Sequence, residues 1–325
     1  MSIARTIRIM ATAVCLVLAQ AGQDVYAQDA YPSRTIKLVV SFAPGGGVDA
    51  MVRLFAAKLT VLLGQPVVVE NRGGAAGLIA GRAIAAMEPD GYNVLVTSNS
   101  MIIAQLMNAS PGLETLRDLQ AVASVAPQAI IVTASPDLRV TTVKDLIALA
   151  KTRNLNYGTP GTGGAPHLMF EHLSALANVR MTHIPFAGAA QALTAALSNQ
   201  TELAVTTLPP AVSLVTSNKL KGIVVTGASR SSALPDVPTA IESGFPNFDV
   251  TVWGGFFVPA KTPQAVSTRL GDAILKVAAM PDIKQKLEQL GFEPTSIPGD
   301  KFQASLAEEM KMWNGVIENA GLKGK

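Results

Sequence analysis

Cysteine is almost missing from this chain. One residue in 325, Cys15, carries a thiol, and it sits in an apolar N-terminal run. Downstream of that run neither a disulfide framework nor thiolate chemistry is available. Histidine is scarce as well, with His167, His172 and His183 making up the full set. The first two are five residues apart, a poor spacing for one helical face. Without cysteine the ligand supply for a metal site is thin, so no metal is expected. Neither a G-x-S-x-G elbow nor an H-E-x-x-H helix occurs, and no catalytic residue is nominated. No cofactor and no enzyme activity are expected. Charge of either sign is limited: 26 Lys and Arg stand against 23 Asp and Glu, a formal net charge of +3. The basic residues are scattered without interleaved aromatics, which argues against nucleic acid as a partner. Past the N-terminus no apolar run is long enough to span a bilayer.

The N-terminus has the three parts of a secretory signal. Arg5 and Arg8 supply the basic start, Ile9–Ala21 the apolar run, and Val25-Tyr26-Ala27 an A-x-A-like site. Cleavage is expected after Ala27, making residues 1–27 a signal peptide and residues 28–325 an exported protein. Thr12-Ala13-Val14 is a poor lipobox, so lipidation at Cys15 is not expected.

The chain is organised around Ser41-Phe42-Ala43-Pro44-Gly45-Gly46-Gly47-Val48-Asp49. A β-branched run, Ile36–Val40, precedes it. A helical pattern follows, with Val48, Met51, Val52, Phe55, Leu59 and Leu62 at spacings of three and four. Strand, glycine turn and helix therefore come in that order. The glycines let a ligand approach the backbone, and the free N–H groups of a first helical turn favour an anion. A second stretch, Asn156-Tyr157-Gly158-Thr159-Pro160-Gly161-Thr162-Gly163-Gly164-Ala165-Pro166-His167, also leads into a helical pattern. The two loops are expected to face one another across a cleft and to share a small acidic ligand. Asp49 has two readings: a first-turn acid that satisfies backbone donors, or a group that binds a ligand donor. His167, at the start of the second helix, is a further candidate contact. Arg72 is read as a structural partner of Glu70. Trp253 is either core or cleft wall, and Trp313 is expected to be buried far from the cleft.

Strand-like and helix-like segments alternate, which argues for parallel sheets covered by helices. Strands are expected at Ile36–Val40, Val67–Glu70, Val94–Thr97, Met181–Ile184, Leu203–Thr206 and Lys221–Val225, and helices over about 48–63 and 75–87. Thr142 with Asp145 resembles a helix start. Two segments break the alternation. Ala121–Val125 and Ala129–Val132 lie back to back around Pro127, and Val250–Val258 is a second extended run. Read as two crossings, they divide the chain into a discontinuous first domain, 28–128 with 253–325, and an inserted second domain, 129–252. The cleft between such lobes is where ligands bind. The stripe Phe302, Leu306, Met310, Trp313 and Ile317 in the last helix is read as core.

Several runs resemble the substrate-binding proteins of tripartite tricarboxylate transporters, the Bordetella uptake gene family. They are Tyr31–Val40 with Phe42–Asp49, Gly64–Arg72, Pro89-Asp90-Gly91-Tyr92, Leu155–Gly161, Leu234–Thr239 and Pro259–Pro263. The resemblance implies an α/β, bilobal periplasmic-binding-protein fold of the type II-like, Venus flytrap kind, with two parallel-sheet domains joined by two crossover strands. It implies a small organic carboxylate held by backbone amides of the two loops, here Phe42, Ala43, Pro44, Gly45, Gly46 and Gly47, and Gly158, Thr159, Gly161, Thr162 and Gly163. It also implies a monomer in the periplasm, working with membrane permease subunits. This chain departs from the family pattern at three cleft positions. Phe186-Ala187-Gly188 replaces the usual Tyr-Lys-Gly. Ala204-Val205-Thr206-Thr207 lacks the usual acid. Ser98-Asn99-Ser100 replaces a glycine- and histidine-containing loop. Phe186, Ala187, Thr206, Ser98 and Asn99 thus join the candidate contacts. All three changes make the cleft less charged, so a carboxylate with an apolar or aromatic part is expected. Alternatives are a sensory binding protein that feeds a receptor, a periplasmic enzyme, or a dinucleotide-binding protein. The last rests on Gly45-x-Gly47-x-x-Ala50 with Glu70 ending the next strand.

Overall fold

The structure, a computed structural model, describes residues 31–246, 248–319 and 321–324. The expected signal peptide and its cleavage point lie outside the described residues. Tyr31–Ser33 belong to a separate N-terminal unit, and the body described below begins at Arg34.

The first glycine turn sits where the sequence puts it. Strand β1 (Ile36–Val40) is buried at every position except Lys37 and feeds helix α1 (Gly47–Leu63). Val48, Met51, Val52, Phe55 and Leu59 are buried as the spacing requires. Leu62 is 40% exposed, at the end of the helix, where left-handed Gly64 turns the chain into the next strand. Strand β2 (Val67–Asn71) follows. The helix expected from residue 75 starts later, as α2 (Leu78–Ala85), because Ala75, Ala76 and Gly77 all have positive φ. Strand β3 (Asn93–Thr97) leads into α3 (Asn99–Met107), whose first turn is capped by the Ser98 hydroxyl accepting from the Ser100 N–H at 3.2 Å.

A short α4 (Thr115–Asp118) precedes β4 (Leu119–Ala134), a single strand of 16 residues where two runs are expected. Pro127 does not end it. A bulge between Val125 and Gln128 absorbs the proline instead. Then come α5 (Val143–Ala150), β5 (Asn156–Pro160), α6 (Ala165–Leu176), β6 (Thr182–Phe186), α7 (Ala189–Leu197), β7 (Leu203–Thr207), α8 (Val212–Thr216) and β8 (Lys221–Val225). Helix α5 opens with a full capping box between Thr142 and Asp145. The chain returns through β9 (Thr251–Pro259) and closes with α9 (Gln264–Ala279), α10 (Pro281–Gln289), β10 (Ser296–Pro298) and α11 (Gly299–Asn319).

The strand order is β2-β1-β3-β9-β4-β7-β5-β6, with β8 and β10 also on β4. Strands β1, β2 and β3 are mutually parallel, as are β5, β6 and β7, and these two groups make the two lobes. Strands β4 and β9 run antiparallel to each other between them. The early part of β4 pairs with β9 and β10, and its late part, Ile130–Ala134, pairs with β7.

Helix α11 touches both cores. Phe302 and Leu306 pack with Val39, Leu95 and Phe257 of the first lobe. Two to three turns on, Trp313 and Ile317 pack with Tyr157, Phe170 and Leu203 of the second. Each such side chain contributes about 1.5–3 kcal/mol by leaving water. Helix α3 does the same at smaller scale, with Met101 and Ile102 in one core and Ile103 and Met107 in the other.

Candidate functional site

A cavity of about 200 Å³ lies between the lobes. Phe42, Ala43, Pro44, Gly45, Gly46, Gly47 and Val48 form its first-lobe wall, with Ser98 and Ser100 beside them. The second lobe contributes Pro160, Pro166, Ala187, Gly188, Ala189, Ala190, Gln191 and Thr207. The crossing strands add Gln128 and Val252. Among the described residues, none that lines this cavity carries a charged side chain.

The first-lobe wall is held from behind by Asp49. Its Oδ2 accepts from the Gly45 N–H at 3.0 Å and from Arg53 Nε at 3.1 Å, and its Oδ1 accepts from Asn71 Nδ2 at 2.8 Å. Asn71 Nδ2 also donates to the Phe42 carbonyl at 3.1 Å. Burial opposes the charge on Asp49, but the bonds from Arg53, Gly45 and Asn71 outweigh it and hold the carboxyl below its ordinary pKa. Asp49 therefore shapes the turn and does not line the cavity. Gly45 takes φ 85°, a conformation glycine adopts at little cost. At Gly46 the chain is extended, and no side chain caps the helix that follows. The first N–H groups of α1 are thus left for another acceptor.

The second glycine stretch is arranged differently. Ala165, the first residue of α6, donates its N–H to Ser100 Oγ of the first lobe at 3.2 Å, and Pro166 has no N–H to offer. The Gly163 N–H goes to His167 Nδ1 at 3.1 Å. The first N–H of this helix is thus taken from within the protein, and only Pro160 and Pro166 of the stretch reach the cavity. Gly158 lies under the Phe186 ring, where an added Cβ would come within 2.8 Å. The Thr159 hydroxyl donates to the Gly161 carbonyl at 2.7 Å and lies 2.7 Å from His183 Nε2. Thr162 and Gly163 face a different hollow, beside Ala75 and Met107. His167 is buried and stacked on His183, with ring centroids 3.8 Å apart. Burial pushes the pKa of His167 down to about 4. His183 also falls to about 4, through burial first and then through its charged-state repulsion with His167.

Of the remaining expected contacts, Ser98 and Ala187 line the cavity, while Asn99, Phe186 and Thr206 do not. Asn99 turns its amide to the Thr251 carbonyl and to Glu309. The neighbour of Thr206, Thr207, takes the lining position. Trp253 belongs to the first-lobe core, and Val252 is the wall residue on that strand. Arg72 donates to Glu70 at 2.9 Å, the structural role expected of it.

Sequence reading misses two features of this wall. One is the start of α7, where Gly188 is extended and uncapped and Ala189, Ala190 and Gln191 border the cavity. A single glycine before an alanine-rich helix is a weak signal, though Phe186-Ala187-Gly188 marks its place. The other is Gln128, a polar residue in the middle of an apolar strand. The cavity is thus met by two uncapped helix starts, α1 from the first lobe and α7 from the second.

Two α/β lobes joined by crossing strands around a small cavity define a bilobal periplasmic-binding-protein fold. The chain belongs to the tripartite tricarboxylate transporter family receptor family (TctC), whose model matches residues 51–322. A UPF0065 protein of Bordetella pertussis is 31% identical over 313 residues, 95% of this chain and 96% of that one. Among solved structures, the periplasmic binding protein BugD is 30% identical with a TM-score of 0.84, covering 90% of this chain and 99% of its own. A Rhodopseudomonas palustris protein solved with adipate, Rpa4515, is 29% identical with a TM-score of 0.85, covering 90% and 98%. MatC from the same organism, solved with malate, is 28% identical with a TM-score of 0.80, covering 88% and 100%.

Proposed function

We propose that this protein is an exported, periplasmic solute receptor that captures one small organic carboxylate between its lobes and hands it to the membrane permease subunits of a tripartite transporter. One observation carries the reading: an interlobe cavity with no charged side chain among the described residues that line it, met by two uncapped helix starts. Backbone N–H groups and helix dipoles hold an anion there without a cationic side chain. The adipate and malate in related proteins support a carboxylate. The lining by Phe42, Pro44, Val48, Pro160, Pro166 and Val252 supports an apolar or aromatic body on that acid. We assign 28–128 with 253–325 to the first lobe, 129–252 to the second, and a signal peptide to residues 1–27. The receptor acts as a monomer. A ligand that bonds both helix starts favours the closed arrangement by its differential affinity for it.

Thermal-shift screening of the protein against aliphatic, aromatic and tricarboxylic acids tests this. Apolar monoacids are expected to raise the melting temperature, and Gly46→Val is expected to abolish the shift. Tight citrate binding would reverse the specificity. Undiminished shifts in Gly46→Val would remove the site.

A further inference from the structure

Gln128 is 1% exposed, yet its Oε1 has no hydrogen-bond partner. The side chain borders the interlobe cavity. Its carbonyl lies over the first residue of α1: a Cβ added at Gly47 would come within 2.7 Å of Oε1. The backbone fixes this placement. The β4 bulge between Val125 and Gln128 re-aims the strand, with Ala126 at φ 48°. The Ala126 N–H donates to the Thr295 carbonyl at 2.9 Å, and the Pro127 carbonyl accepts from the Glu293 N–H at 2.8 Å. Gln128 itself forms a β-bridge with Phe292 and pairs with Val252 of β9.

A buried carbonyl without a donor is costly, and an apolar side chain of similar size would remove that cost. Here the residue that carries the acceptor borders the cavity, and the acceptor itself stands beside the same helix turn that would hold a carboxylate. We propose that Gln128 is a specificity-determining residue whose carbonyl accepts a hydrogen bond from a hydroxyl carried next to the ligand carboxylate. Preferred solutes are then 2-hydroxy carboxylates with an apolar body. A hydroxyl fits better than an ammonium, because no carboxylate among the described lining residues balances a positive charge. This rests on the carboxylate reading above and adds to it the group that accompanies the acid.

Matched pairs test it: mandelate against phenylacetate, and 2-hydroxyhexanoate against hexanoate, titrated by calorimetry into the full-length mature protein. The hydroxy acid of each pair is expected to bind about tenfold tighter or more, the usual penalty for leaving a buried acceptor unmatched. In Gln128→Leu and Gln128→Met the preference is expected to fall to about threefold or less, mainly through weaker hydroxy-acid binding. Without ligand, both variants are expected to melt no lower than the parent. A preference that survives both substitutions, or a parent that favours the des-hydroxy acids, overturns the assignment to Gln128 while the carboxylate site stands. A lower melting temperature in both ligand-free variants also overturns it, since Gln128 would then be structural. If no acid of either pair binds the parent, the carboxylate reading falls and this one falls with it.

Discussion

Trp253 and Trp313 donate their indole N–H groups to opposite oxygens of one carboxylate. Trp253 Nε1 reaches Glu309 Oε2 at 2.7 Å, and Trp313 Nε1 reaches Oε1 at 3.1 Å. Asn99 Nδ2 adds a third bond to Oε1 at 3.0 Å. One acid therefore ties β9, α3 and α11 together. The two tryptophans share this one acceptor.

Replacing Glu309 with Ala is expected to destabilise the protein by about 2–4 kcal/mol, because three buried or half-buried donors lose a charged acceptor. Both indoles should change their emission together. Urea unfolding followed by tryptophan fluorescence measures this. A loss within about 0.5 kcal/mol, the usual range for surface substitutions, would show that the hub is dispensable.

Asp49 is expected to matter for binding without touching the ligand. Asp49→Ala frees the Gly45 N–H, Arg53 and Asn71, and should lower stability by about 1–3 kcal/mol while weakening carboxylate binding. Asp49→Asn keeps the shape but loses the ion pair, and should fall between. Affinity in Asp49→Ala equal to the parent's would separate the turn from the site.

The second lobe should lose stability in mild acid. His167 and His183 have ordinary unfolded pKa values near 6.5 and folded values of about 4. Between those limits the unfolded chain binds more protons, so stability rises with pH there and is lost as pH falls from about 6.5 to about 4. Glu171 lies 4.0 Å from His167 Nε2 and accepts from the Tyr157 hydroxyl, and it is the acid that faces this pair. Asp49 acts in a lower window. Its folded pKa is below 3.8, so its contribution is intact above that value and lost as pH falls beneath it. His167→Asn keeps an acceptor for the Gly163 N–H without titrating. It should flatten the decline of melting temperature between pH 6.5 and 4, and a slope equal to the parent's would rule out His167 as a source.

Glycine substitutions should separate the two loops. A side chain at Gly46 meets only the Ala43 carbonyl, at 3.9 Å, with φ at −82°, so Gly46→Val should fold normally and lose ligand. Gly188→Val should act alike from the other lobe, since the Cβ there meets only the mobile end of Gln191. Gly163 has φ 75° and would press on Met107 Sδ at 3.0 Å. Gly163→Val should therefore cost about 1–3 kcal/mol in backbone strain. Any ligand affinity lost there should be smaller than at Gly46. The opposite ranking in paired melting and calorimetry experiments would return the ligand to the 158–164 loop.

The α/β alternation was readable because its strands are short β-branched runs and its helices have clear stripes. Local turn chemistry also read well, as at Thr142 with Asp145. What failed to read depends on distant partners. The 158–164 stretch has four glycines against three in the first loop, but His167 takes the Gly163 N–H, and Ser100, 65 positions upstream of Ala165, takes the first N–H of the helix that follows. Conversely, the start of α7 has one glycine and no motif, yet it borders the cavity. The late start of α2 reflects left-handed alanines that propensity does not forecast. Gln128 reaches the cavity through a bulge, and a bulge leaves no periodic trace.

Helix α11 has its head rooted in one lobe and its tail in the other, like a leaf spring clamped at both ends. In the closure proposed above, hinge travel must flex this rod or peel Trp313 and Ile317 out of their bed, so wide gaping carries an elastic penalty. Trimming the chain before Trp313 would unclamp the far end and leave the jaws freer to gape.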